Sequence, residues 1–149
     1  MIQRIQTVFL LASFCFLAPL FFVPSVELEA GGTFYYFDLT GLFLTGSEGV
    51  RTIDRQYPLM LFGVLICLLN IVTVFLYRRR TLQMRLCRYN IILIIGLVGV
   101  CLYIVRMSPH DAVYFHLPVV FPAIAVILHW LAFRGIRKDE LKCTLSRLR

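Results

Sequence analysis

Charge is scarce in this chain. Only 15% of its 149 residues are Asp, Glu, Lys or Arg, against about a quarter in soluble domains. No Asp, Glu, Lys or Arg interrupts four apolar runs, at about Thr7–Val26, Tyr57–Tyr77, Tyr89–Val105 and Ala112–Phe133. An ion-coupled transporter usually carries an expensive ionisable group deep in a span to bind its proton or cation, and on this reading none is buried here. Small multidrug exporters carry a glutamate midway along their first helix, where this sequence reads ASFCFLAPLF.

Other absences narrow the chemistry further. There are five cysteines but no CxxC motif. Cys15, Cys67 and Cys101 fall inside apolar runs, and Cys87 and Cys143 fall among basic residues on what becomes the reducing side, so thiol–disulfide exchange outside the membrane has no donor. His110, Asp111 and His116 form the one tight group of metal-ligand types. His129 lies thirteen residues past His116, about 20 Å along a helix, too far to share their ion. Paired carboxylates, a nucleophile with a base, and a metal set are all missing, so neither an enzyme nor a cofactor is expected. The net charge of +7 and pI near 9.5 suggest nucleic acid only until the charge is located: it hugs the ends of the apolar runs, with no reader motif beside it.

What the sequence does have is length in its apolar runs. About 20 residues at 1.5 Å rise cross a hydrocarbon core about 30 Å thick. The four runs therefore predict an all-α membrane protein with four transmembrane helices in a single domain of residues 1–149. The third run is the shortest and spans with help from Tyr89, Asn90 and the stem of Arg106 at the interfaces. The first resembles a signal sequence in polarity but has no small residues at minus three and minus one of a cleavage site, so it reads as an uncleaved helix.

Four spans put the N-terminus, residues 78–88 and the tail 134–149 on one side. Twelve of the fifteen Lys and Arg lie there, with only Arg51, Arg55 and Arg106 opposite, where six of the eight acidic residues fall. Cytoplasmic loops collect Lys and Arg, so both termini are expected in the cytoplasm and the loop 27–56 outside. That loop contains two β-prone stretches, Thr33–Leu39 and Leu42–Thr45, around Thr40-Gly41, which suit a short β-hairpin.

Polar and bent positions within the spans are few. Asn70, followed by Thr73, is the deepest polar group, and such residues commonly hydrogen-bond between helices. Asn90 sits where it could cap the third span. Pro118 and Pro122, four residues apart, predict a kink in the fourth span. A cavity near Asn70, Pro118 and Pro122 would suit a small transporter or lipid-handling protein, the alternative to an accessory or scaffold role. The basic tail, with Ile136, Leu141, Leu145 and Leu148 on one stripe, is a candidate for anionic headgroups on the cytoplasmic side.

Three segments together, MIQRIQTVFLLA from Met1, RRRTLQMRLCRYNIILIIG from Arg78 and LAFRGIRKDE from Leu131, resemble the domain of unknown function 4293 family, over nearly the whole chain. The resemblance implies a multi-pass protein of the bacterial inner membrane and supplies no activity. It also implies that the matched polar positions share one face. Joined to the charge pattern, it gives a candidate cytoplasmic contact or lipid-headgroup face of Arg4, Arg78, Arg79, Arg80, Gln83, Arg85, Arg88, Asn90, Arg134, Arg137 and Lys138. The expected partners are the bilayer's anionic headgroups and another membrane protein.

The charge pattern makes a direct prediction. Reporter fusions after residues 50, 82 and 149 should report outside, inside and inside respectively; outside activity for the fusion at 82 or 149 would overturn the orientation.

Overall fold

Four helices have room for an apolar seam, and in each the buried side chains recur in alternating steps of three and four residues. In the computed structural model, which describes residues 2–46, 49–76 and 79–147, these are α1 (Ile2–Leu17), α2 (Tyr57–Phe75), α3 (Arg80–Met107) and α4 (Phe121–Arg147). The seams are Leu10, Ser13 and Leu17 on α1; Leu59, Gly63, Ile66, Asn70 and Thr73 on α2; Gln83, Cys87, Asn90, Ile94 and Leu97 on α3; and Pro122, Ala125, His129, Ala132, Ile136 and Asp139 on α4. A 3.5-residue period keeps one stripe of a helix against its neighbours along its whole length. Helix α1 packs against α2 and α4, and α3 against the same two.

Proline sets where two of these helices stop or start. Pro19 cannot donate to the helical ladder, and α1 gives way at Leu17 to a 3₁₀ turn over Ala18–Phe21. Pro118 lies at the start of another 3₁₀ turn, Leu117–Val120, and Pro122 lies in the first turn of α4. Both prolines therefore sit where the missing N–H would have had no partner anyway. The expected mid-span kink is not formed. The fourth helix begins at Phe121, nine residues after the start of the apolar run, because Ala112–Phe115 is a β-strand. The basic stretch after Arg79 likewise differs from expectation: α3 starts at Arg80, so the arginines occupy its first turns instead of a loop, and Asn90 lies well inside the helix instead of capping it.

In place of one short hairpin there is a five-stranded antiparallel sheet in the order β4-β3-β2-β1-β5. Its strands are β1 (Val26–Ala30), β2 (Thr33–Phe37), β3 (Gly41–Gly46), β4 (Gly49–Arg55) and β5 (Ala112–Phe115). Strands β1 and β2 are joined by Gly31 and Gly32, with φ of 58° and 75°. Positive φ at both central residues is the type I′ geometry that matches the twist of a two-residue hairpin. At the next turn the Asp38 carboxylate accepts from the Thr40 hydroxyl at 2.6 Å and from the Gly41 amide at 3.0 Å. Strand β5 closes the sheet on β1, extended by Asp111 N–H to Glu29 C=O (2.7 Å) and His116 N–H to Ser25 C=O (3.0 Å).

Helices α1 and α3 run into the sheet and α2 and α4 run out of it, so the strands gather at one end of the helices. Alternation gives the sheet a buried face. Val26, Leu28 and Phe37 join Leu17, Leu20, Leu59, Ile66, Ile94, Leu97, Val105 and Ala125 in one apolar cluster. A second, smaller cluster of Leu10, Cys87, Ala132 and Ile136 lies toward the other end.

The side chains of Leu39 and Phe21 lie directly over Gly63 of α2. A Cβ there would lie 2.5 Å from Leu39 Cδ2 and 2.8 Å from Phe21 Cζ. Both are side-chain ends that can turn aside. Gly63→Ala should therefore be close to neutral in thermal melts, its clash offset by about 1 kcal/mol of helix propensity. Gly63→Ile should destabilise by about 1–3 kcal/mol through overpacking.

Candidate functional site

Between the two apolar clusters each helix contributes one buried polar residue. On α1 it is Ser13, between Leu10 and Leu17; on α2 Asn70, next after Ile66 in the seam; on α3 Asn90, between Cys87 and Ile94; on α4 His129, between Ala125 and Ala132. All four are fully buried, as is Thr73 one step along α2. The four form two pairs. Asn70 donates through Nδ2 to Ser13 Oγ at 2.7 Å, tying α2 to α1. Asn90 Nδ2 lies 2.9 Å from His129 Nε2, tying α3 to α4.

The histidine's partners fix its tautomer. Nδ1 lies 2.9 Å from the Ala125 carbonyl, which can only accept, so Nδ1 carries the hydrogen. In the neutral ring Nε2 is then an acceptor, and Asn90 must present its amide nitrogen. That leaves the Asn90 oxygen without a donor; with Asn70 Nδ2 on Ser13, Asn70 Oδ1 and Asn90 Oδ1 are both buried and unpartnered. Thr73 makes no demand on the layer, since its hydroxyl donates to the Leu69 carbonyl at 2.6 Å. His129 also corrects the expectation that no span buries an ionisable group. The reason is packing: it falls on the seam of α4, and the other helices close over it.

The expected basic face divides. Gln83 and Asn90 are buried in the helical core, so the structure places them away from any surface contact; both fall on the inward stripe of α3. Arg79, Arg85, Arg88, Arg134, Arg137 and Lys138 are exposed. Arg78 lies outside the described residues, as do the side chains of Arg4 and Arg80. Of the exposed set, Arg85, Arg88 and Arg137 line a single groove of about 570 Å³ between α3 and α4, with Met84, Phe133 and Leu141 as apolar wall and Thr81 and Glu140 beside them. The Arg88 guanidinium stands 5.9 Å from the Phe133 ring centroid, a cation–π contact. Thr81 Oγ1 donates to Glu140 Oε1 at 3.2 Å, holding the two helices together at this end.

At the sheet end the histidines are engaged separately. His110 Nδ1 bonds the Ser108 carbonyl, the Asp111 carboxylate accepts from Gly31 N–H at 3.0 Å, and His116 Nε2 pairs with Glu27 Oε2 at 3.1 Å. The neighbouring Glu27 carboxylate holds the half-buried Tyr36 phenol above its ordinary pKa, because a second negative charge there is disfavoured. Asn70, Pro118 and Pro122 do not share a cavity. Pro122 lines a small apolar pocket of about 70 Å³ under the sheet with Leu97, Cys101, Val105 and Phe115. Asn70 is thirteen residues into α2, which at 1.5 Å per residue is about 20 Å from its sheet end.

Helices α2, α3 and α4 are each long and apolar enough to cross a membrane, and they expose Leu61, Leu68, Phe75, Ile92, Ile95 and Ile127 over their outer surfaces. An apolar exterior on that scale belongs to a membrane protein. The chain belongs to the DUF4293 family, a domain of unknown function whose model matches residues 2–142, nearly the whole chain. No curated protein matches it.

The Asn90–His129 pair can be tested by its asymmetry. Asn90→Leu strips His129 Nε2 of its donor and should cost about 1–3 kcal/mol in detergent unfolding. Asn90→Leu combined with His129→Leu removes both partners and should recover most of that loss.

Proposed function

We propose that this protein is a four-span accessory or scaffold protein of the bacterial inner membrane, without catalytic activity, that engages anionic headgroups and a membrane-protein partner through its basic end. Helix α1 serves as the fourth span: its sixteen residues rise about 24 Å, and the four-residue 3₁₀ turn that follows adds about 8 Å. The sum matches a hydrocarbon core about 30 Å thick. With the sheet at one end, the N-terminus, the α2–α3 connection and the tail fall together at the other, and their excess of Lys and Arg favours the cytoplasm for that end.

The observation that carries this reading is the groove between α3 and α4. Arg85, Arg88 and Arg137 converge there beside Phe133 and Leu141, which pairs cationic forks for a phosphate with apolar walls for the first carbons of an acyl chain. The transport alternative has less support, since Asn70 and the two prolines lie at different depths.

The test is lipid retention. Purified in mild detergent, the wild-type chain should hold an anionic phospholipid in preference to phosphatidylcholine in native mass spectrometry. At about 1 kcal/mol per charge near the headgroups, replacing Arg85, Arg88 and Arg137 by Gln should weaken that retention by about tenfold or more after allowance for screening. Equal retention by the triple variant would sink the proposal, and a stoichiometric membrane partner lost with the same substitutions would extend it.

A further inference from the structure

We infer that the polar layer holds an ordered internal water that donates one hydrogen to Asn70 Oδ1 and the other to Asn90 Oδ1, joining the two pairs into one hydrogen-bonded chain from Ser13 to His129 that runs through all four helices. Two observations lead there. The layer's protein bonds stop at two pairs, Asn70 with Ser13 and Asn90 with His129. Both atoms left over are of one kind, amide oxygens on the adjoining helices α2 and α3, fully buried and without a donor.

The chemistry of the two oxygens selects the ligand. They lack donors, so a further acceptor is useless to them. A monovalent cation could use amide oxygens, but no carboxylate lies in the layer to offset its charge. Nor is a helix broken there to lend carbonyls, since α2 and α3 run through it unbroken. Water is neutral, carries two donors, and needs two to four polar partners when buried. In hydrocarbon an unpaired acceptor is costly, which is the driving force for holding it.

Infrared difference spectroscopy of the full chain in nanodiscs, exchanged between H₂¹⁶O and H₂¹⁸O, reads this directly. A narrow O–H stretch that shifts with the heavier oxygen is expected. It should vanish in the Ser13→Ala and Asn70→Leu double variant, which removes one acceptor together with its partner. It should persist in Thr73→Val, whose hydroxyl bonds only its own helix among the contacts described. Absence of the band in the wild type, or its survival in the double variant, would overturn the inference. So would a melting temperature raised by sodium over choline in the wild type and not in the double variant, which would assign the layer to a cation. Should the double variant fail to fold, an experimental density map of the wild type decides: a peak within hydrogen-bond distance of both oxygens supports the site, and protein donors on both oxygens dispose of it.

Discussion

Hydrocarbon solvates no hydrogen-bonding group, and four side chains at the centre of this molecule must therefore find one another. Ser13, Asn70, Asn90 and His129 each lie on the seam of a different helix, and their pairings join α1 to α2 and α3 to α4. Apolar seams alone allow a helix to slide by a heptad at little cost, since Leu and Ile pack acceptably in several registers. A polar layer does not, because a one-heptad slip of any helix strands its polar residue and that residue's partner among methyls. Buried polar positions of this kind are best attested as devices for fixing register. The two apolar clusters on either side, and the seat of the sheet on the first of them, depend on that register.

The sheet adds a constraint of a different sort. Its buried face continues the apolar cluster of the helices, so Val26, Leu28 and Phe37 complete the core that Leu17, Leu59 and Leu97 begin. Backbone contacts fasten the join: Leu39 N–H meets the Leu20 carbonyl at 3.3 Å and Gln56 N–H meets the Thr40 carbonyl at 3.2 Å. Gly63 leaves the space in which Leu39 and Phe21 lie against α2. Among the described residues the opposite end has no such lid, and there the arginines of α3 and α4 stand exposed around a groove. The molecule is thus polarised along its helices, with β-structure at one end and exposed cationic forks at the other.

Much of the helical part was legible in the sequence because a run of apolar residues near 20 long has few other uses. The sheet was harder. Val26–Ala30 alternates cleanly and Gly31-Gly32 follows it, a recognised hairpin signal, but beside an apolar helix the segment is easily weighed only as a cleavage site. Ala112–Phe115 is absorbed into the apolar run that leads into α4, since a short apolar strand and the start of a span look alike in composition. The polar layer shows why single residues mislead. Asn90 next to Tyr89 and Arg88 looks interfacial, and His129 beside Trp130 looks like an aromatic belt. Only the three-and-four spacing, compared across all four helices, brings Ser13, Asn70, Asn90 and His129 to one level.

The pairing of β1 with β5 also bears on how the chain assembles. The contact between Gly31 and Asp111 spans 80 residues, and the two intervening helices α2 and α3 must be in place before it can form. Until then β1 has β2 on one side and an open edge on the other, the side that Ala112–Phe115 later covers. Contacts so distant in sequence form late and slowly because loop closure must be met before they contribute. The strand that covers this edge, Ala112–Phe115, lies directly before the turn into α4, whose His129 pairs with Asn90 in the polar layer.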